Sequence, residues 1–183
     1  MAEEQVFSQE NRLYLLLSAP GDINHMNIAV LKKIISRGCT PLIVSLNQPS
    51  TVMTKAYTKE GISPEQYYIA DAVTHYSGGT TISTPHIRYV NHPADLTGLG
   101  IAVTETLKTM PHGHTCILFD SVSLLLIHTP MITASKFFHF IINKLKMSEI
   151  SGIFLCADTG LDPVILAQMS TFVDRVITFD NLI

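Results

Sequence analysis

The sequence predicts an α/β fold, a three-layer α/β/α sandwich built on a mostly parallel sheet. Three observations carry this. Short apolar runs alternate with segments of helical spacing along the whole chain, the pattern of strands that return through helices to parallel neighbours. The runs LYLLLS (13–18), TCILF (115–119) and SGIFLCA (151–157) contain almost no polar residues, as expected of strands covered on both faces. No linker, repeat or composition break divides the 183 residues, a length that suits one domain.

The elements follow in order. Residues 13–17 form the first strand. A helix over 24–37 places Ile28, Leu31, Ile34 and Ile35 on one face, and Gly38 stops it. PLIVSL (41–46) is the second strand. Ser50 serves as N-cap for a helix reaching to about Glu60, closed by Gly61. YYIADAV (67–73) is the third strand. Residues 74–85, with Gly78-Gly79 and a Ser/Thr cluster, form the longest irregular stretch. HIRYV (86–90) is a short strand, and 94–110 a helix with Leu96, Leu99, Val103 and Leu107 on one face. Pro111-His112-Gly113 breaks it before the strand 115–119, which ends at Asp120. Phe137, Phe140, Ile141, Lys144 and Leu145 mark a helix over 133–147. After the strand 151–157, Asp162 caps a helix over 162–172 with Pro163 at its first position. VDRVITF (173–179) is the last strand. Crossovers should be right-handed. All of 1–183 is expected to form this single domain, with 1–11 a flexible N-terminal extension whose acidic, polar character is wrong for a signal peptide.

Composition narrows the function. Charged residues make up 15%, against about 25% in typical domains, and the mean hydropathy is +0.28. That balance fits a surface partly covered by another subunit or partner. The net charge of −3 comes with no basic stripe, so nucleic-acid binding is not expected. Cys39, Cys116 and Cys156 are odd in number and lack CxxC spacing, which reads as reduced core thiols in a cytoplasmic protein. No apolar run reaches the roughly 18–20 residues of a membrane span.

The segment 13–33 has the strand–loop–helix layout in which many α/β proteins hold a triphosphate. Such loops are glycine-rich and end in Lys-Ser/Thr, so that backbone N–H groups surround the phosphates and the lysine meets their outer oxygens. Here Gly21 is the only glycine, and Asn24 and His25 stand where the lysine and hydroxyl belong. Ser18, Gly21, Asn24 and His25 therefore outline a degenerate anion site, served by the N–H groups of a helix N-terminus and opposed by Asp22. At the other strand ends stand Asn47-Gln48, Asp71, Asp120-Ser121 and Asp158. Asp120 either helps hold a metal or bonds neighbouring backbone amides. An enzyme using Asp71, Asp120 and Asp158 on another small ligand is a further reading, ranked last.

Eight histidines are scattered, with His112 and His114 as an HxH pair and His75 and His128 standing alone; no zinc or HExxH spacing appears, so no metal site is expected and they read as solvent-facing. No GxSxG elbow accompanies Ser121 or Ser123. In Phe137-Phe138-His139-Phe140 the aromatic residues cover more than half a helix, and Phe138 is expected to point outward as an interface residue; a helix buried on two sides is the alternative.

Several segments together resemble the RecA-like P-loop NTPases, especially the KaiC and RadA-like branch. ILFDSVSLLL (117–126) is similar to a Walker B strand, SLNQPSTVMTKAYTKEGIS (45–63) to the second strand and its helix, and YYIADAV, SGIFLCADTG and VDRVITF to later strands in matching order. The resemblance implies a RecA-like fold with Asp120 at the Walker B position. Two departures qualify it. The segment 18–27 does not match Walker A, and Asn47-Gln48 replace the glutamates that orient the attacking water; an amide cannot take that proton. Together these imply a non-catalytic pseudo-ATPase, without cofactor, acting as an assembly or signalling module toward itself or a related ATPase. The alternative is an atypical nucleotide binder or weak ATPase that uses ATP and Mg²⁺ with Asp120.

Overall fold

A computed structural model describes residues 12–111, 113–159 and 161–178. The expected N-terminal extension, His112 and Phe179 lie outside the described residues. Among these residues seven strands form one sheet: β1 (Leu13–Ser18), β2 (Thr40–Ser45), β3 (Tyr68–Asp71), β4 (Ile87–Tyr89), β5 (Thr115–Phe119), β6 (Ser151–Ala157) and β7 (Arg175–Thr178). Their order is β4-β3-β2-β5-β6-β1-β7, and every neighbouring pair is parallel. Among the described residues six α-helices lie between them: α1 (Ile23–Ser36), α2 (Ser50–Lys59), α3 (Leu96–Thr109), α4 (Val122–His128), α5 (Met131–Met147) and α6 (Pro163–Ser170).

The side chains of the strands sort alternately into two cores. Tyr14, Leu16, Ile43, Ile69, Leu118 and Leu155 face α1 and α2, where Met26, Val30, Leu31, Met53 and Tyr57 meet them. Leu13, Leu15, Val44, Phe119 and Phe154 face α3 to α6, against Leu99, Val103, Leu125, Phe138 and Ile141. Both faces of the central strands are thus covered, which is why their interiors are apolar and their polar residues stand at the strand ends. Gly152 shows how closely the second core is filled. A Cβ there would stand 2.9 Å from Leu13 Cδ2, 3.0 Å from Leu145 Cδ1 and 3.1 Å from Phe154 Cε2. Gly152→Ala is expected to destabilise by about 1–3 kcal/mol through overpacking, read as a lowered midpoint in urea unfolding.

Four expectations need correction. Ser50 is the first residue of α2 rather than its cap. Pro49 holds the cap position, and the Ser50 N–H donates to the buried Asp71 carboxylate at 2.8 Å, so a strand-end residue caps the helix. The helix α4 was not anticipated; Ser121 opens it, accepting from Leu124 N–H at 3.4 Å. Phe138 does not point outward. It is 2% exposed and meets Phe154 edge-on at 4.8 Å, while Phe140 is 53% exposed. Last, His128 does not stand alone: its ring centroid lies 5.8 Å from that of His92 and 5.4 Å from that of Tyr76.

Candidate functional site

The carboxyl ends of β1, β2, β3, β5 and β6 gather at one rim of the sheet. From β1 to α1 the chain makes a closed turn. Buried Ser18 ends the strand, its hydroxyl donating to Ala19 O at 3.1 Å. Pro20–Asp22 form a single 3₁₀ turn, in which Asp22 N–H donates to Ala19 O at 2.9 Å. Helix α1 starts directly after it. Gly21 is not among the glycines with positive φ, and a Cβ on it would meet nothing within 4 Å. Its conformation is one that any residue could adopt. Asn24 and His25 lie exposed on the first turn of α1.

Asn24 is joined to the end of β2, where the Asn47 Nδ2 group donates to Asn24 Oδ1 at 3.0 Å. The two amides singled out separately in the sequence are therefore one contact. Behind them sits Asp120, 3% exposed. Leu46 N–H donates to its Oδ1 at 2.8 Å and Asn47 N–H to its Oδ2 at 3.0 Å. The Ser45 hydroxyl, 2.5 Å from Gln48 O and 3.2 Å from Oδ2, shares its one proton between them. Burial pushes the Asp120 carboxyl up to about 7, against the lowering effect of these donors and with a small push from the Asp71 charge.

Asp71, one strand further along, is also fully buried but behaves oppositely. Burial raises its pKa, yet the donors from Ser50 and Thr74 outweigh it and hold the group below the ordinary carboxylate value. The two aspartates share the rim but not an environment. Asp158 is exposed at the end of β6, so the three acids are not gathered around one point. Ser121 caps α4, and Ser123 accepts from Ala157 N–H at 2.8 Å, tying α4 to β6. Cys116 and Cys156 are buried thiols, the latter raised to about 11 by desolvation.

Two cavities open on either side of the Asn24–Asn47 contact. The larger, about 630 Å³, lies between the β1–α1 turn, α4 and α6, with Ser121, Ser123, Ile127 and Leu161 in its wall. The smaller, about 220 Å³, lies between α1 and α2, with Asn27, Gln48, Tyr57 and Asp120 in its wall. No lysine or arginine lines either one. Among the described residues no group of three or more histidine, cysteine or acidic side chains converges as a metal site.

Asn27 and Tyr57 were not anticipated as site residues. The Tyr57 hydroxyl donates to Asn27 Oδ1 at 2.6 Å, and Asn27 Nδ2 is buried without a partner. The signal for Asn27 was legible: it is a polar residue on the apolar face of α1, beside Met26, Val30 and Leu31.

Comparison with known proteins gives the chain a family. A model for a family of unknown function, DUF7504, matches residues 37–179. The chain belongs to that family. No curated protein matches it. Among solved structures, the DUF7504 chain is similar to an uncharacterized protein of Pyrococcus horikoshii, PH0321, crystallised in complex with an unknown peptide. The TM-score is 0.71 at 12% identity, covering 93% of this chain and 78% of that one. It is also similar to the KaiC-like protein PH0186 of Pyrococcus horikoshii OT3, with a TM-score of 0.65 at 12% identity over 92% and 71% of the two chains. The fold of this DUF7504 member is thus that of the KaiC-like, RecA-fold proteins. No helix among the described residues is long and apolar enough to cross a membrane.

Proposed function

We propose that this DUF7504 protein is a pseudo-ATPase, a KaiC-like fold that acts through protein contacts as an assembly or signalling module. The observation that carries this is the Asn24–Asn47 hydrogen bond. It joins the position expected for the phosphate-binding lysine to the position expected for the catalytic glutamate, so neutral amides stand paired where charged groups would act. The surroundings fit a magnesium triphosphate poorly. The β1–α1 link is a single 3₁₀ turn, the cavities carry no cation to meet phosphate oxygens, and Asp22 is exposed beside the helix start. Three internal donors already point at Asp120, where a Mg²⁺ site would want open carboxylate oxygen in addition to substrate phosphates.

A contact surface is available on the opposite flank. Ile101 on α3 and Phe140 on α5 are more than half exposed beside Gly100, where the helices touch, and Leu96 and Phe137 line the same apolar depression. The partner is a second copy or a related ATPase. That PH0321, of the same fold, was crystallised with a peptide accords with a role in binding another chain. Three cysteines without a disulfide suit a reducing compartment such as the cytoplasm.

The test is a melting curve with and without Mg²⁺-ATP. A ligand at about 100 times its Kd adds roughly 2.7 kcal/mol, a rise of several degrees for a domain of this size. No rise and no phosphate release are expected. A rise that Asp120→Ala removes would favour the atypical nucleotide binder instead. Light scattering tests assembly: a wild-type protein that stays monomeric at high concentration and captures no related ATPase would defeat the module reading.

A further inference from the structure

The depression between α3 and α5 joins an apolar centre to a pattern of charge. Its volume is about 510 Å³. Ile101 and Phe140 stand exposed beside Gly100, at which a Cβ would lie 3.6 Å from Phe140 Cε1 and 3.8 Å from Phe137 Cε2. Gly100 is therefore level with these two rings. Both helices return against the parallel strands on one face of the sheet, so α3 and α5 run parallel to each other. Lys136 precedes Phe137 toward the start of α5, and Glu105 lies more than a turn beyond Gly100 toward the end of α3. Both line the depression, and they stand at diagonal corners of its apolar centre. Lys136 is exposed and makes no ion pair among the described residues. Glu105 Oε1 accepts from Lys108 Nζ at 2.8 Å, and its Oε2 is left for a second donor.

We propose that this face pairs with the same face of a second copy in a two-fold dimer. The pairing rests on the contact-module reading and supplies its partner. A two-fold axis in the contact plane, passing through the apolar centre and across the line from Lys136 to Glu105, lays Ile101 and Phe140 of the two copies together. The same rotation brings Lys136 of each copy to Glu105 of the other. Like charges at those corners would repel under that rotation; opposite charges make the face its own complement, which selects a second copy over an unrelated chain. Helices of 14 and 17 residues, at about 1.5 Å per residue, make a face roughly 20 Å on a side. Two such faces bury on the order of 800 Å² together, the size of a weak, reversible contact.

Sedimentation equilibrium of the full chain, from about 5 to about 500 μM, is expected to show a reversible monomer–dimer equilibrium. Phe140→Glu and Ile101→Glu fall at exposed positions, where folding is little affected, and each is expected to weaken the dimer more than about tenfold. Val164→Glu, exposed on α6, is expected to leave it unchanged. Lys136→Glu and Glu105→Lys each set like charges together at two symmetric contacts, and each is expected to weaken self-association about tenfold. Mixed in equal amounts, these two variant chains are complementary at both contacts. A heterodimer about as strong as the wild-type dimer is expected, detected through a fluorescent label on one chain. The proposal is overturned if the wild-type chain stays monomeric across that range, if the dimer survives Ile101→Glu and Phe140→Glu, or if the mixed variants associate no more strongly than either alone. Capture of a related ATPase by the Ile101–Phe140 face without self-association would also overturn it, yet leave the contact-module reading in place. Stabilisation by Mg²⁺-ATP that Asp120→Ala removes would sink the pseudo-ATPase reading and leave the dimer standing.

Discussion

Asp71→Ala is expected to be among the most destabilising single substitutions in the chain, on the order of 4 kcal/mol. The carboxylate is fully buried and accepts from Ser50 N–H at 2.8 Å, Val73 N–H at 2.8 Å, Thr74 N–H at 2.9 Å and the Thr74 hydroxyl at 2.5 Å. Alanine would leave three backbone N–H groups buried and unpaired, each worth about 1–3 kcal/mol. It would loosen both the start of α2 and the turn after β3. Against a typical total stability of about 5–15 kcal/mol, this is a large fraction. Asp71→Asn keeps one acceptor oxygen but sets an NH₂ group against donors, so it should recover less than half of the loss. Urea unfolding at neutral pH measures both. A loss below about 1 kcal/mol for the alanine variant would show that the loop supplies other acceptors.

The two aspartates illustrate what the sequence makes legible. Each follows a run of apolar residues at the end of a strand, and both were singled out on that ground. Their opposite electrostatics arise from loops folded around them: Asp71 collects donors from residues 50, 73 and 74, whereas Asp120 is more deeply desolvated with fewer partners. No local pattern encodes that difference. The central strands are legible because both their faces are covered, which forces apolar runs; the edge strands β4 and β7 carry Arg88 and Arg175 and are partly exposed. The order of the strands is not legible, since a right-handed crossover constrains handedness and leaves open how many strands it passes over.

Helix α4 was hidden because it follows β5 after only two residues, and its LLLI run has no visible period. Phe138 rather than Phe140 is buried because the choice among three neighbouring aromatics depends on a second buried side, which sequence spacing does not show. The inner face of α5 is set by Phe138, Ile141, Ile142 and Leu145, with the sheet pressing on Phe138 through Phe154. At the candidate site, Asn24 and Asn47 each stand where the family resemblance leads one to expect a charged residue. Their contact spans 23 positions and depends on how the β1–α1 turn is placed beside the end of β2.

Asp120 should make the protein less stable as pH rises from about 4 to about 7. Its pKa is 3.8 in the ordinary state and about 7 in the fold, so between these values the native protein holds a proton that the unfolded chain has lost. Stability then falls with pH. The contribution is complete below the unfolded pKa and is lost as pH rises through the folded one. About three units at 1.36 kcal/mol each gives on the order of 4 kcal/mol. The geometry provides for the neutral form: a proton on Oδ2 can be donated to Ser45 Oγ, 3.2 Å away, while that hydroxyl donates to Gln48 O at 2.5 Å. Asp71 works in the opposite sense, its lowered pKa adding stability above 3.8 that is lost as pH falls through the folded value, so the Asp120 slope is cleanest between about 4.5 and 7. Asp120→Asn cannot ionise. Relative to wild type it should be less stable at about pH 4.5, where its NH₂ group can still donate to Ser45 Oγ but no longer accepts from Asn47 N–H, and should gain progressively to equal or exceed wild type near pH 8. Parallel urea titrations across that range would show the two curves crossing; parallel curves would mean that Asp120 is ionised throughout and held so by its donors.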